Sequence, residues 1–162
     1  MIHVDPYEKK FIIASTILLV VFAVAIAISA FSYGIQLPAP EQRVDPNVIT
    51  TPGVSAFADP VDERLRELGP GRYEVYILAQ TWAFLPNEIR IPAGSTITFY
   101  VTSRDVVHGF QIERTNINMM VIPGQVSRLT ATFDEPGTYN YICNEYCGTG
   151  HHIMYGRLIV EP

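Results

Sequence analysis

An uninterrupted apolar run of 21 residues, at positions 11–31, constrains the fold of this chain more than any other feature. The run contains no charged residue and no proline. It is long enough to cross the hydrocarbon core of a bilayer as an α-helix, in which every backbone polar group is paired internally. We therefore predict a transmembrane anchor within residues 1–36.

Basic residues predict the orientation of this anchor. Lys9 and Lys10 stand just before the apolar run, and the next basic residue, Arg43, lies well beyond it. The positive-inside rule then places the N-terminus in the cytoplasm and the rest of the chain on the periplasmic side of the plasma (inner) membrane. A cleaved signal peptide is the alternative, because a small-residue spacing begins at Ala25, but the apolar part of such a peptide usually spans only about 7–15 residues.

Charge and cysteine content narrow the classes of function. The formal net charge is −5, and all of it lies in the exported part, because residues 1–35 carry equal numbers of acidic and basic groups. Such acidity attracts a basic soluble partner, although it also simply keeps a small domain soluble. A chain with only two lysines is unsuited to binding nucleic acid. Its two cysteines, Cys143 and Cys147, exclude a scaffold of several disulfides.

Residues 37–71 contain six prolines and little apolar periodicity, which predicts a linker. Within this segment, Asp59 as N-cap and Glu63 in the first turn favour a short helix over residues 60–68. After Gly71 the pattern changes to short runs of β-forming residues separated by turns. The linker therefore ends near residue 71.

Residues 72–162 predict one all-β domain. Ile97, Phe99 and Val101 alternate with polar residues, so they fall on one face of a strand. Seven short predicted strands in a chain of this length are typical of a small β-sandwich or barrel. The predicted strands cover residues 72–79, 87–92, 95–103, 109–113, 126–133, 138–143 and 156–160.

The segment from Cys143 to Met154 concentrates candidate metal ligands. It holds both cysteines, a methionine and two of the four histidines, His151 and His152. Thiolate, thioether and imidazole ligands select copper or zinc over magnesium or calcium. His108, at the start of another predicted strand, can complete the set from across the sandwich.

Residue chemistry alone leaves several kinds of site open. A disulfide between Cys143 and Cys147 suits an oxidising exterior but leaves the histidines and Met154 without a role. A structural zinc site with two cysteines and two histidines uses everything except the methionine. A mononuclear blue copper site leaves one cysteine over.

Two copper ions bridged by both thiolates use the whole inventory. In this interpretation each metal receives one imidazole, the methionine is a weak axial ligand, and a loop carbonyl fills the remaining axial position. One electron shared over a compact, rigid pair changes bond lengths little on reduction, which favours fast electron transfer. The closed ligand set argues against substrate chemistry at the metal. The predicted ligands are His108, Cys143, Glu145, Cys147, His151 and Met154.

These features resemble a known family. The spacing Cys-x3-Cys-x3-His-x2-Met, the upstream run Asp-Val-Val-His-Gly-Phe at residues 105–110 and the single anchor are similar to subunit II of haem–copper terminal oxidases. The resemblance covers the anchor and residues 72–162, and its spacing selects His151 over His152 as the ligand. It implies a cupredoxin-like, Greek-key β-sandwich with a dinuclear copper A centre.

The resemblance also implies a function. The copper domain is expected to accept electrons from cytochrome c or a similar donor and to pass them to subunit I, where dioxygen is reduced to water and protons are pumped. The chain itself then holds no catalytic acid, base or nucleophile. Two alternatives are the same copper subunit of a nitric oxide reductase of the superfamily, and a membrane-tethered copper carrier that binds metal in order to release it.

The single anchor and the run from Gly109 to Gly124 resemble the ba-type oxidases most. Most relatives have two anchor helices, so a separate small single-helix subunit is a further expectation. Glu145 departs from this pattern, because ba-type relatives resemble a glutamine pattern there. In two-helix relatives this glutamate also helps to bind magnesium or manganese at the border with subunit I. Both a second metal and an exposed carboxylate of which only the carbonyl matters stay open at this position.

Five residues outside the loop carry further hypotheses. Trp82 and Phe84 resemble the aromatic segment through which family members accept electrons, with burial in the sandwich as the alternative. Asp105 either orients the upstream ligand histidine through a hydrogen bond or serves an ordinary turn. Met119 and its neighbour Met120 are expected to fill core or interface rather than to bind metal.

Overall fold

The computed structural model of the chain describes residues 5–35 and 39–162. The chain divides into two compact units, Met1–Ile35 and Gln36–Pro162. Within the described residues, the first unit is one helix and the second is rich in β-strands.

The helix of the first unit, α1, spans Pro6–Ser32. Asp5 caps its N-terminus, because the carboxylate accepts a hydrogen bond from the Tyr7 amide at 2.8 Å, and Pro6 fits the first helical position. The predicted apolar run lies wholly inside α1. Its 27 residues extend for about 40 Å, which exceeds the roughly 30 Å of a hydrocarbon core. By length and composition, α1 can therefore cross a membrane.

The second unit is a sandwich of two sheets. Its strands are β1 (Ala39–Arg43), β2 (Leu65–Gly69), β3 (Arg72–Gln80), β4 (Ala83–Leu85), β5 (Glu88–Pro92), β6 (Ser95–Ser103), β7 (His108–Ile112), β8 (Asn118–Val121), β9 (Gln125–Phe133), β10 (Gly137–Ile142) and β11 (Tyr155–Glu161). One sheet has the order β1-β9-β6-β3-β2, with β4 paired to β3, and the other has the order β5-β11-β10-β7-β8. The pairs β3–β6 and β5–β11 are parallel, and the remaining pairs are antiparallel.

The core lies between the two sheets, and strand alternation places it there. Ile97, Phe99 and Val101 of β6 are fully buried, as their spacing predicts. Aromatic rings fill the centre, where the Phe110 ring of β7 lies 5.2 Å from the Tyr141 ring of β10. β7 begins, and β10 ends, at the same edge of the sandwich. The prediction of an all-β domain is confirmed, and the seven predicted strands correspond to β3, β5, β6, β7, β9, β10 and β11.

The segment predicted as a linker contributes strands to the sandwich. β1 pairs with β9, and β2 pairs antiparallel with β3. The helix predicted over residues 60–68 is wrong, because only Val61–Glu63 forms a 3-10 turn before β2 begins. The carboxylate of Asp59 does not cap that turn but binds the Arg66 guanidinium at 2.6 Å. Pairing with β3 therefore outweighs the local preference for a helix.

Candidate metal centre

The candidate ligands lie in a loop that joins two paired strands. β10 and β11 form a hairpin, with Ile142 opposite Tyr155 as the last pair before the loop. The Cys143 amide donates a hydrogen bond to the Met154 carbonyl at 3.1 Å, which closes the loop at its base. The first and last candidate ligands of the loop are thereby fixed to the end of the sheet.

Two thiols form the centre of the site. Cys143 and Cys147 are both free and buried, and their Sγ atoms lie 3.7 Å apart. The Sγ–Sγ distance is too long for a disulfide, whose bond measures about 2.05 Å. Together with His108 these cysteines form a group whose ligand atoms all lie within 4.8 Å of one another.

Each thiol has one imidazole beside it. His108, the first residue of β7, is fully buried, and its Nδ1 atom lies 3.8 Å from the Cys143 Sγ. His151 begins the short 3-10 turn His151–Ile153, and its Nδ1 atom lies 3.7 Å from the Cys147 Sγ. The His152 side chain is exposed on that turn. Within the part of the chain that the structure describes, no hydrogen bond joins it to either thiol. The structure therefore brings together the histidines that the spacing selects.

A weaker donor accompanies each half of the site. The Met154 Sδ lies 3.6 Å from the Cys147 Sγ and is buried, whereas the Glu145 backbone oxygen lies 3.2 Å from the Cys143 Sγ. The Glu145 side chain is exposed, so the carbonyl alone takes part in this cluster. All six predicted donor groups thus meet at one edge of the sandwich.

The protonation of the site follows from its burial. Desolvation raises the pKa of Cys147, and the hydrogen bond with Cys143 and the negative charge of that residue's thiolate form raise it further. The metal-free site therefore holds a neutral Cys147 thiol at neutral pH, and a metal that binds as thiolate complex must displace its proton.

Asp105 makes the contact that the sequence left open. Its Oδ1 atom lies 2.9 Å from the His108 Nε2, on the side of the ring away from Cys143. Burial opposes the charge of this carboxylate, but hydrogen bonds from His108, Thr81 and Val106 outweigh burial and lower the pKa of Asp105 to about 2. The carboxylate therefore orients the imidazole and also serves its turn.

The two aromatic candidates differ in position. Trp82 is 42% exposed and packs against the loop that carries the cysteines. Its indole Nε1 donates a hydrogen bond to the Cys147 carbonyl at 3.2 Å. Phe84 is fully buried, with its ring 5.6 Å from that of Phe110. β4 points Phe84 into the core, which is the alternative that the sequence left open, so of the two candidates only Trp82 presents its ring at the surface. Met119 is buried in the core, as expected.

The sequence did not predict the roles of two residues at the site, Gly109 and Asn144. Gly109 follows His108 on β7, and a Cβ atom there would lie 1.8 Å from the Asn144 Oδ1. Asn144 in turn donates hydrogen bonds from Nδ2 to Asn118 at 3.1 Å and to Gln111 at 3.3 Å. This amide cluster holds the loop against β7 and β8. The sequence signal that could have identified Gly109 is a glycine next to a candidate ligand within a strand. A glycine in a strand often marks a site where another backbone approaches closely.

The donor set fits copper. Two thiols, two imidazoles and a thioether are the soft and borderline ligands that copper prefers, and the single carbonyl is consistent with a weak axial position. Four strong donors and two weak ones exceed what one tetrahedral zinc ion uses. The same residues therefore fit a copper site better than a structural zinc site.

Comparisons with known proteins identify the family of this chain. Residues 78–161 match the family described as cytochrome c oxidase subunit II, periplasmic domain. Cytochrome c oxidase subunit 2 of Thermus thermophilus is 41% identical over 157 residues, which cover 96% of this chain and 92% of the relative. The ba-type resemblance fits this relative.

Two solved structures extend the comparison. A haem–copper terminal oxidase dimer, solved by cryo-electron microscopy, contains a chain of 38% identity with a TM-score of 0.77, covering 96% of this chain and 99% of that one. The periplasmic domain of subunit II of cytochrome oxidase from Bradyrhizobium japonicum has the same cupredoxin fold, with a TM-score of 0.50 at 20% identity over 54% of this chain and 82% of that one. Coverage of 96% includes α1, which is thus part of a single-pass membrane subunit. The chain belongs to the cytochrome c oxidase subunit II family.

Proposed function

We propose that this chain is the electron-accepting subunit of a respiratory haem–copper oxidase and acts through a dinuclear copper A centre. The observation that carries the proposal is the cluster of six donor groups at one edge of the sandwich, linked by contacts of 3.2–3.8 Å. When bound, such a centre takes up one electron and passes it on with little change in geometry. The proposed ligands are His108, Cys143, Glu145, Cys147, His151 and Met154.

The chain contributes rigidity and shielding to this function. Both cysteines and Met154 are buried in the main core cluster, so water has little access to the sulfur donors. His108 is held by β7, and the loop is closed at its base, so the donors stand in place before a metal arrives. Fixed donors suit electron transfer, because a site that cannot rearrange keeps nearly the same geometry in both redox states.

The surface above the thiols suits a transient electron donor. Trp82, Tyr146 and Ile153 expose large apolar side chains there, and exposed aromatic residues are frequent anchors of partner proteins. The domain carries the whole net charge of −5, which attracts a basic donor such as a cytochrome c. Trp82 is the proposed residue through which electrons enter, because its indole Nε1 donates a hydrogen bond to the carbonyl of a proposed ligand residue, Cys147.

The remaining partners follow from the family and from α1. The chain assembles with the haem–copper subunit I, to which it passes electrons for the reduction of dioxygen to water and the pumping of protons. α1 crosses the lipid bilayer once, with the N-terminus in the cytoplasm and the copper domain on the outer face, because Lys9 and Lys10 precede the apolar run. A small single-helix subunit replaces the second anchor helix, and mass analysis of the purified complex tests for it.

A second metal at Glu145 needs ligands from another chain. The Glu145 carboxylate is exposed, and no group of three His, Cys, Asp or Glu side chains within residues 5–35 and 39–162 includes it. Magnesium or manganese prefers several oxygen ligands, so a site there depends on subunit I. Our proposal therefore gives Glu145 a role through its carbonyl.

The decisive experiment measures metal content and spectra of the full chain. The chain is purified in detergent with its thiols reduced and is then loaded with copper(I) and copper(II) in equal amounts. We expect two copper ions per chain, a purple protein and a seven-line electron spin resonance signal, because one electron is shared by two equivalent copper nuclei. A colourless protein with one zinc ion, or a blue protein with one localised copper ion, overturns the proposal.

Adjacent histidines supply a matched pair of variants. His151→Ala removes a proposed ligand and is expected to abolish the delocalised signal, whereas His152→Ala removes an exposed imidazole and is expected to keep it. Equal loss in both variants contradicts the assignment of His151.

The alternative functions predict other results. A copper carrier releases its metal readily and purifies without a partner chain, whereas an oxidase subunit retains two copper ions and copurifies with subunit I. A nitric oxide reductase assembly is distinguished by the gas that the purified complex consumes. The oxidase subunits found among the relatives favour dioxygen.

A further inference from the structure

Asp105 touches two separate parts of the candidate centre. It lies between β6 and β7, and its side chain is 29% exposed. The Oδ1 atom lies 2.9 Å from the His108 Nε2 and accepts a hydrogen bond from the Val106 amide at 2.7 Å. The Oδ2 atom accepts two hydrogen bonds from Thr81, one from its amide at 2.7 Å and one from its hydroxyl at 2.9 Å. One carboxylate therefore bridges two segments that are 24 residues apart.

The contact with His108 fixes the state of a proposed ligand. A carboxylate beside Nε2 favours the tautomer that carries its proton on that nitrogen. The Nδ1 atom is then free of a proton and faces the Cys143 Sγ at 3.8 Å. Because the ring is fully buried, no water competes for either nitrogen.

The contact with Thr81 fixes the hairpin that carries Trp82. Thr81 and Trp82 are the two residues between β3 and β4, where Gln80 pairs with Ala83. A second contact holds the Trp82 indole, because its Nε1 donates a hydrogen bond to the Cys147 carbonyl at 3.2 Å. The hairpin tip is thus held at one end by Asp105 and at the other by the loop.

An ordinary turn accounts for only part of this arrangement. Contacts within the turn itself account for Oδ1, which accepts hydrogen bonds from the Val106 amide and, at 3.3 Å, from the Ser103 hydroxyl. They do not explain why Oδ2 accepts both donors of Thr81, which belongs to a different hairpin. The Oδ2 contacts stabilise no turn around Asp105. They instead link the hairpin that contains Thr81 to the proposed ligand His108.

We propose that Asp105 is a positioning residue that sets both the tautomer of His108 and the placement of the Trp82 indole. The Asp105 carboxylate thereby connects the surface that an electron donor would contact to the proposed metal ligands. The inference rests on the proposed function for its meaning in electron transfer. Its physical content, a shared carboxylate that controls two side chains, is tested without a metal.

The first experiment uses the metal-free full chain in detergent, with its thiols reduced. The imidazole nitrogen resonances of His108 report its tautomer, and the fluorescence of Trp82, the sole tryptophan, reports its exposure to a soluble quencher. Asp105→Asn keeps the shape of the side chain, but its amide cannot accept from both sides at once. We expect loss of the single His108 tautomer and stronger quenching of Trp82. Asp45→Asn is the control, because Asp45 also accepts from a backbone amide in an exposed turn.

A second variant separates the two contacts. Thr81→Val removes the hydroxyl donor and leaves the pair between Asp105 and His108 intact. We expect it to increase quenching of Trp82 and to leave the His108 tautomer unchanged. Thr132→Val is the control, because it removes a hydroxyl contact with Thr96 at 2.8 Å that lies far from this hairpin along β6 and β9.

Copper(II) titration of the same full-length variants gives a third readout. Loss of a residue that orients a metal-bound histidine typically lowers metal affinity about 10–100-fold, and we expect this for Asp105→Asn. An unchanged His108 tautomer, or an unchanged Trp82 signal in a folded Asp105→Asn chain, overturns the proposal. Failure of the wild type to bind two copper ions contradicts the proposed function instead, and leaves the metal-free result valid.

Discussion

Gly150 lies so close to Trp82 that a Cβ atom on it would sit 2.4 Å from the Cδ2 atom of the indole. Gly148 is similar, with its added Cβ 3.1 Å from the indole Nε1. The aromatic ring therefore lies against bare backbone of the ligand loop. Since the φ angle of Gly150 is −89°, an alanine there meets the ring without straining the backbone.

Gly150→Ala should displace the indole of Trp82. Overpacking of this kind usually costs about 1–3 kcal/mol of stability. We expect the copper-loaded full chain to keep its metal but to oxidise reduced cytochrome c more slowly than the wild type. Thr149→Ala is the control, because Thr149 is exposed in the same loop. Unchanged donor oxidation in a variant whose indole has moved would remove the electron-accepting role of Trp82.

Met154→Leu should change the redox behaviour of the centre and leave its copper content intact. Leucine matches methionine in volume, so the buried site should lose less than about 1.5 kcal/mol of stability. Removing a weak donor destabilises the oxidised metal more than the reduced one, so the midpoint potential should rise. Redox titration of the loaded chain measures this shift. If the potential stays at the wild-type value, the Met154 sulfur is not an axial ligand.

Tyr141→Phe should weaken the sandwich beneath the site. The buried hydroxyl of Tyr141 donates to the Pro86 carbonyl at 2.8 Å, and its loss leaves that carbonyl without this donor. An unsatisfied buried group costs about 1–3 kcal/mol, measured as the free energy of unfolding. Tyr139→Phe is a matched control, because its exposed hydroxyl also donates to a carbonyl, that of Glu135 at 3.0 Å. Equal losses in the two variants would mean that burial does not decide the cost.

Glu145→Gln should leave the copper centre unchanged, because the backbone carbonyl near Cys143 is the same in both residues. The assembled complex is the right sample, since any other ligands of a hard cation come from subunit I. We expect unchanged copper, magnesium and manganese contents by elemental analysis. A selective drop in magnesium or manganese would instead assign the carboxylate to a second metal.

Local patterns were sufficient for the central strands and for the loop. β6 alternates buried and half-buried residues from Ser95 to Val101, a pattern that a sequence displays directly, and the six candidate donors are of recognisable chemistry at recognisable spacing. β2 was missed for a physical reason. Its residues Leu65–Gly69 are compatible with a helix, and only their pairing with β3 makes them a strand.

Long-range contacts explain what the sequence could not reveal at the site. Phe84 and Trp82 stand two residues apart in similar aromatic contexts, yet β4 buries one and the hairpin tip exposes the other. Trp82 binds a carbonyl 65 residues away, and Asp105 reaches Thr81 in another hairpin. Such contacts depend on how strands are arranged in three dimensions, which neither spacing nor composition encodes.

The hydrogen bond between the Cys143 amide and the Met154 carbonyl bears on the order in which the protein matures. Where a metal must gather its own ligands, as in zinc fingers, the apo chain is unfolded. Here the sheet aligns the two ends of the ligand loop, so the entropy of ordering that loop is lost while the sandwich forms. We therefore expect the chain to fold without metal, so that an incoming metal would encounter two reduced thiols already held in place.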